Sequence, residues 1–389
     1  MEQRILYLLG AYPRWSETFI RQDLSLLQEL GLPVRPVALF PGDVSPAPDW
    51  PVVRCLQEAA PEPAGHAFRA KLRTLVPRGL ATRLSLFSHR DLCRQLRVLV
   101  QREKIGHIHA EFADLPGLLA AHVSQRLGIT YSVGVHARDI HLCKYDPALL
   151  FADASFITVC NAAARDELLA TFPAVADRVR LIYHGLLLDQ WPFRRKGQSP
   201  HSPMSLLFAG RFVEKKGLKI LLRALFLCRE ASLSVSLTLL GAGPQERELR
   251  NMIRELDLGG LVTFEGVVSR DAVRRHMEQS DCLVVPSVVD AAGDQDGIPN
   301  VVLEAMAVGT PVLGTDAGSL AEVLSDATGW PCHAGDEQDL CRKITEIVRN
   351  PQRAEEKCGN ARKLIETDFD ARGLARQRMA LFRQGAKEP

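Results

Sequence analysis

The chain reads as an α/β protein built from two similar open parallel sheets, on three observations. Short β-branched or leucine-rich runs alternate with amphipathic helical stretches almost throughout, which is the pattern of βαβ units. The alternation breaks at WPFRRKGQSPHSP (191–203), a polar and basic stretch with Pro192, Pro200 and Pro203, and then starts again. The length, 389 residues, suits two domains, and 46% hydrophobic with 24% charged residues excludes a largely disordered chain.

In order, the expected strands of the first half are RILYLL (4–9), PVRPVAL (33–39), HIHAEF (107–112), TYSVGV (130–135), SFITVC (155–160) and RVRLIY (178–183). Helical patterns lie between them. SETFIRQDLSLLQELG is one, with Ser16 as its N-cap and Gly31 as its stop. PGDVSPAPDWP (41–51) is Pro-rich and reads as loop. The second half offers MSLLFAG, VSLTLLG, LVTFEG, CLVVPS and TPVLGT, each followed by a helix. The expected domains are therefore 1–193 and 204–369, joined by a linker at 194–203, with ligands beyond the carboxyl ends of the strands.

Charge is balanced overall and uneven locally. Lys and Arg total 48 against 46 for Asp and Glu, a net +2 that gives no global signal for nucleic acid. Yet ten of the basic residues fall between His66 and Lys104 against Asp91 and Glu103, a local +8 that leaves −6 for the rest. Such a segment is either a solvated helical face or a surface that meets anionic lipid. No apolar run is long enough to span a bilayer, and MEQRILYLLGAYPRWSE lacks a signal peptide's order of regions. The expectation is a cytoplasmic protein, peripheral at the inner face of the cell membrane. Nine cysteines without a CxxC read as reduced, mostly buried thiols. His107 and His109 share a strand face but have no clear third ligand, so no metal site is expected.

Chemistry concentrates in the second half. Gly210, Gly241 and Gly266 close strands, where glycine lets the backbone turn and a ligand approach. GAGPQE (241–246) has Glu246 where a dinucleotide fingerprint needs its third glycine. GRFVEKKG (210–217) is not a P-loop, yet Arg211, Lys215 and Lys216 precede the helix GLKILLRALFLCRE. Cations beside free helix N–H groups suit a diphosphate. Farther on, Asp296 lies in a loop opened by Gly293 and Gly297, and Glu304 follows within the helix NVVLEAMAVG. A carboxylate, having only acceptors, suits two ribose hydroxyls. Asp294 and Asp296 also imitate a DxD manganese site, a motif that belongs to single-domain architectures.

Taken in order, G-R-(x4)-K-G, L-L-G-x-G-P, F-x-G and P-S…[acid]-G-x-P-x-x-x-x-E-A-M-A-x-G-x-P-V resemble glycosyltransferase family 4, the retaining enzymes of the GT-B fold. PRWSETFIRQDLSLL (13–27), VHARDI (135–140), TVCNAAARDEL (158–168) and YHGLLLDQW (183–191) resemble its bacterial exopolysaccharide and colanic-acid branch. The resemblance implies two Rossmann-like domains facing each other across a cleft, with a last helix at about 370–389 packed back on the first. It implies transfer of a hexosyl group from a nucleoside-diphosphate sugar to a glycan or lipid-linked acceptor, with no cofactor and no metal. Arg211 and Lys216 would hold the diphosphate, Glu304 the ribose and Asp296 the transferred sugar. Gly297, Ile298, Pro299, Asn300 and Val301 would line the pocket, Gly243 would lie near the nucleotide, and Val267 and Val268 near the base. His136 would reach the sugar from the first domain, so that His136, Asp296, Arg211 and Lys216 form the catalytic set. Ser16, Glu17, Thr18 and His109 would face the acceptor. Three positions depart from the family: Asp296 stands for its usual Glu, Leu187 for an Asp, and Glu111 replaces the third residue of an HAHF-like segment. A nucleotide-sugar epimerase and a non-catalytic sugar-nucleotide-binding protein are the competing readings.

Overall fold

Ile5 to Leu9 is apolar on both faces of a strand, and that pattern requires helices on both sides. In the computed structural model this run is β1 (Arg4–Tyr12), and each of the five residues is at most 1% exposed. Around it lie β2 (Val34–Pro41), β3 (Arg54–Cys55), β4 (Ile105–Glu111), β5 (Thr130–Val135), β6 (Ile157–Val159) and β7 (Val179–Leu181). All pair in parallel, in the order β3-β2-β1-β4-β5-β6-β7. The structure describes residues 3–14, 18–43, 53–57, 77–136, 139, 145–194, 202–350 and 352–385, with Thr18 described by its backbone alone.

Alternation along β1 divides the core. Leu6 and Leu8 pack with Leu92, Leu96, Leu99 and Val100. Those four line one face of α3 (Arg90–Glu103), which follows α1 (Thr18–Glu29) and α2 (Arg78–Ser88) in the chain. Ile5, Tyr7 and Leu9 face the other way, against Ile20, Leu24 and Leu27 of α1 and Phe382. Three more helices follow among the described residues of the first half: α4 (Leu115–Leu127), α5 (Pro147–Phe151) and α6 (Ala162–Thr171). Phe382 belongs to the last helix, Ala371–Gly385, which joins the first compact unit together with residues 1–185. Arg378 of that helix forms a buried ion pair with Asp23 of α1.

The second unit, Leu186–Asp370, is a six-stranded parallel sheet. Its strands are β8 (Met204–Ala209), β9 (Val235–Leu240), β10 (Val262–Gly266), β11 (Cys282–Val285), β12 (Val312–Thr315) and β13 (Trp330–Cys332). Their order, β10-β9-β8-β11-β12-β13, is the doubly wound order of nucleotide-binding sheets. The helices are α7 (Leu218–Glu230), α8 (Glu246–Glu255), α9 (Arg270–Gln279), α10 (Asn300–Val308), α11 (Glu337–Arg349) and α12 (Gln352–Asp368), so the last helix of the first unit is α13.

The chain passes between units at Gly185–Leu186, earlier than the boundary expected at 193. Hydrogen bonding explains the difference. The Leu186 N–H donates to Phe369 O at 2.8 Å, and the Arg194 N–H to Val308 O at 3.0 Å. Trp191 is fully buried, and Arg362 donates to its carbonyl at 2.8 Å. Residues 195–201 of the expected linker lie outside the described residues, as do Ser16, 44–51 of the Pro-rich loop and 66–76 of the basic segment. Among the described residues, no helix is long and apolar enough to cross a membrane. Eight of the cysteines are free thiols, five of them buried, and Cys143 lies outside the described residues.

Candidate functional site

The second unit gathers its charged side chains through two close backbone approaches. After β8 the chain turns through Gly210 and Arg211 and enters a 3-10 turn, Glu214–Lys216. Gly217 follows at φ +66°, and a Cβ there would lie 1.7 Å from Pro286 O. Only glycine lets this turn sit against the end of β11. Lys215 and Lys216 are thereby carried to the loop that holds Asp294 and Asp296. Lys216 Nζ lies 2.7 Å from Asp296 Oδ2, and Lys215 Nζ lies 3.0 Å from Asp294 Oδ2 and 3.5 Å from Asp296 Oδ1. The buried Ser287 hydroxyl donates to Asp296 Oδ2 at 3.0 Å, which fixes the carboxylate further. Gly243 packs on the same turn, since a Cβ there would lie 2.4 Å from Phe212 O.

Helix α10 starts directly after this loop. Its first N–H groups, those of Asn300 and Val301, have no acceptor within the helix and carry the positive end of its dipole. Glu304, one turn in, is 9% exposed and faces Arg270 Nη2 at 3.6 Å. Burial raises the Glu304 pKa, and the Arg270 guanidinium opposes that shift. Arg270 also lies over the Trp191 ring, 5.0 Å from its centroid. Val267, after the Gly266 turn, is 81% exposed, an open apolar platform. Arg211 is exposed, and among the described residues no carboxylate pairs with it. The Arg211 guanidinium, the paired Lys215 and Lys216, a helix N-terminus and a buried carboxylate together suit a ligand with a phosphate end and a hydroxyl-bearing end. Asp294 and Asp296 do not fit a manganese ion, because both already face lysine ammonium groups.

The first unit holds a buried polar chain centred on Glu111. Its carboxylate accepts from the Tyr7 hydroxyl, from His109 Nε2 at 3.3 Å and from His136 Nε2 at 2.9 Å. Gly134 on β5 leaves the space, since a Cβ there would lie 3.1 Å from Glu111 Oε1. Burial alone would raise the Glu111 pKa, but the hydrogen bonds from His109 and His136 hold it well below the ordinary value. Burial alone would lower the His136 pKa, yet Cys160 and Glu111 raise it well above 6.5. These partners favour the protonated form of His136. Its backbone N–H donates to Asp139 Oδ2 at 2.9 Å, and its Nδ1 lies 3.6 Å from Cys160 Sγ. The His184 ring stacks on it with centroids 5.3 Å apart. His136, Cys160 and His184 bring donor atoms within 4.8 Å of one another, a set that could hold a soft metal ion only with His136 deprotonated at Nδ1.

The expected residues divide between the units. Arg211, Lys216, Gly243, Val267, Val268, Asp296, Gly297–Val301 and Glu304 all belong to the second unit, where Lys216 and Asp296 are in direct contact. His136 belongs to the first. His109 cannot face an acceptor: it is 0% exposed, held by Ser132 Oγ at 2.8 Å and packed edge-on against Phe382. Ser16, Glu17 and the Thr18 side chain lie outside the described residues. Arg270, Ser287, Cys160 and His184 were not expected in either site. Arg270, Cys160 and His184 have their partners 24 or more positions away, so neither spacing nor periodicity marks them, whereas Ser287 lies only nine positions from Asp296 within the P-S…[acid] motif.

Two parallel-sheet Rossmann-like units in one chain define the GT-B class of fold. The solved structure of HepE (Alr3699) from Anabaena in complex with UDP has that fold. It superposes with a TM-score of 0.72 over 98% of this chain and 100% of that one, at 18% identity. Residues 189–364 match the family described as Glycosyl transferases group 1. The amylovoran biosynthesis glycosyltransferase AmsK of Erwinia amylovora is 23% identical over 96% of this chain and 98% of its own length. WcaL of Escherichia coli (strain K12), named as a colanic acid biosynthesis glycosyltransferase, is 30% identical over 48% of this chain and 47% of its own. Together these likenesses support a transferase.

Proposed function

We propose that this protein is a retaining hexosyltransferase that takes its sugar from a nucleoside diphosphate and delivers it to a glycan or lipid-linked acceptor in cell-surface polysaccharide biosynthesis. The observation that carries the proposal is the cluster of Lys216, Lys215 and Asp296 beside the N-terminus of α10, with Arg211 unpaired among the described residues. The names of AmsK and WcaL support the polysaccharide setting. HepE has also been solved with UDP-glucose, which supports a nucleotide-sugar donor.

In this reading Arg211, Lys216 and the α10 N–H groups take up the negative charge that develops on the β-phosphate as the sugar C1–O bond breaks. The acceptor oxygen forms its bond to C1 on the same face, and its proton passes to the departing phosphate. Glu304 accepts from the ribose hydroxyls, and Asp296 from the transferred sugar. Lys216 exchanges part of its contact with Asp296 for the incoming diphosphate. His136, favoured as a cation by Cys160 and Glu111, supplies a fixed positive charge in the first unit. Protein cations occupy the role a metal would otherwise have, so turnover is expected to survive EDTA.

The test is an NMR record of the sugar first released when the enzyme slowly hydrolyses its donor, with EDTA present. Release with the donor's anomeric configuration is expected. Inverted sugar, or activity that only manganese restores, contradicts the mechanism. Conversion of the donor to its epimer without release points to the epimerase reading.

A further inference from the structure

Within the basic segment the two helices behave oppositely. In α3 the leucines are core: Leu92, Leu96 and Leu99 are at most 3% exposed. In α2 they are not. Leu80, Leu84 and Phe87 are 51%, 56% and 70% exposed, and their spacing of four and three residues places them on one helix face. The opposite face is anchored. Thr82 is fully buried and accepts from the Asp146 N–H at 2.9 Å, Ser85 Oγ meets Tyr145 OH at 3.2 Å, and Leu86 packs on the core. The apolar stripe is therefore held outward.

Cations surround it. Arg78 and Arg83 lie on α2, and Arg90, Arg94 and Arg97 form the exposed ridge of α3, beside Val98 at 57% exposure. Arg90 reaches over the Phe87 ring, 5.4 Å from its centroid. Glu103 is already engaged by Arg35 and Arg102. Among the described residues no carboxylate pairs with Arg78, Arg83, Arg90, Arg94 or Arg97. An apolar ridge bordered by unpaired guanidinium groups matches a bilayer interface with anionic headgroups: acyl chains take the ridge and phosphates take the arginines.

We propose that α2 and the exposed ridge of α3 dock the enzyme on an anionic membrane surface, with Leu80, Leu84 and Phe87 inserted and the arginines on lipid phosphates. This goes beyond the donor-site reading and does not depend on it. The test is co-sedimentation of the full chain with phosphatidylcholine vesicles, with and without phosphatidylglycerol, at low and high salt. Binding is expected only with phosphatidylglycerol, and salt should weaken it. Each arginine near an anionic surface gives roughly a fivefold gain in partitioning, so Arg83→Glu/Arg90→Glu/Arg94→Glu should lower it on the order of a hundredfold. Leu84→Glu/Phe87→Glu should lose binding too, and Phe87→Trp should shift its fluorescence to the blue on anionic vesicles. Because these side chains are exposed, all variants should fold and bind nucleotide sugar as the parent does. Equal binding to neutral vesicles, no binding to anionic ones, or binding untouched by arginine reversal overturns the proposal. Self-association abolished by Leu84→Glu/Phe87→Glu, without vesicle binding, would assign the stripe to a second copy of the chain instead.

Discussion

At the residue scale, Cys160 and Glu111 together favour a charge on His136 that burial alone would disfavour. The His136 pKa is raised well above 6.5, so its stabilising contribution is complete below about 6.5 and is lost as pH rises through the raised value. The Glu111 pKa is depressed well below 4.5, so its contribution is complete above about 4.5 and is lost as pH falls through the depressed value. Between those limits the pair stabilises most. Glu111→Gln should remove the acid limb that Glu111 gives the melting-temperature profile against pH, weaken the alkaline limb that Cys160 also supports, and bring the alkaline loss of turnover to lower pH, while the KM for donor stays near the parent's. A profile that keeps both limbs would detach His136 from Glu111. In the other unit, Arg211→Ala and Glu304→Ala should each weaken nucleotide-sugar affinity about 10- to 100-fold, the worth of one charge-assisted hydrogen bond. Arg211 is exposed, so its truncation should leave the melting temperature unchanged. Calorimetric titration checks both, and parental affinity in either variant would place the donor elsewhere.

At the element scale, the second unit depends on turns that only glycine can make. Gly217→Ala would place a Cβ 1.7 Å from the Pro286 carbonyl at a positive φ. It should cost at least about 1–3 kcal/mol, from strain alone. A urea titration should show a lower midpoint together with weaker donor binding, because the same turn carries Lys216. An unchanged midpoint would mean that the two loops are free to separate. The same scale shows what was legible in the sequence. Long apolar runs such as Ile5–Leu9 and Met204–Ala209 declare themselves as buried strands. β3, two residues long, and β13, whose three residues include Pro331, carry no periodicity to read and were missed. The motif proposed for the donor was legible because its residues are local: Lys216 is six positions from Gly210, and Glu304 eight from Asp296. Its contacts were not. That Lys216 meets Asp296, and Arg270 meets Glu304, follows from β-strand order and not from spacing. His109 misled because a histidine on a strand looks alike whether it faces solvent or, as here, lies beneath Phe382.

At the scale of the whole molecule, two doubly wound units divide the chemistry. The second, with its sheet order β10-β9-β8-β11-β12-β13, gathers cations and carboxylates on the loops that follow its strands. The first builds a buried polar chain around Glu111 and carries the cationic, apolar-striped helix pair on its surface. The transition out of the first unit at Gly185 and the return at Ala371 tie the last helix to α1 through Arg378 and Asp23. The central claim is that the second unit binds a nucleoside-diphosphate sugar through Arg211, Lys216 and Glu304. The most direct measurement is a thermal-shift panel of UDP-, GDP-, ADP- and dTDP-sugars against the parent protein and Arg211→Ala. One base should stand out, adding about 2.7 kcal/mol of stability at a hundred times its dissociation constant. Arg211→Ala should need a much higher ligand concentration for the same shift. No shift with any of the four, or a shift that Arg211→Ala leaves intact, would contradict it.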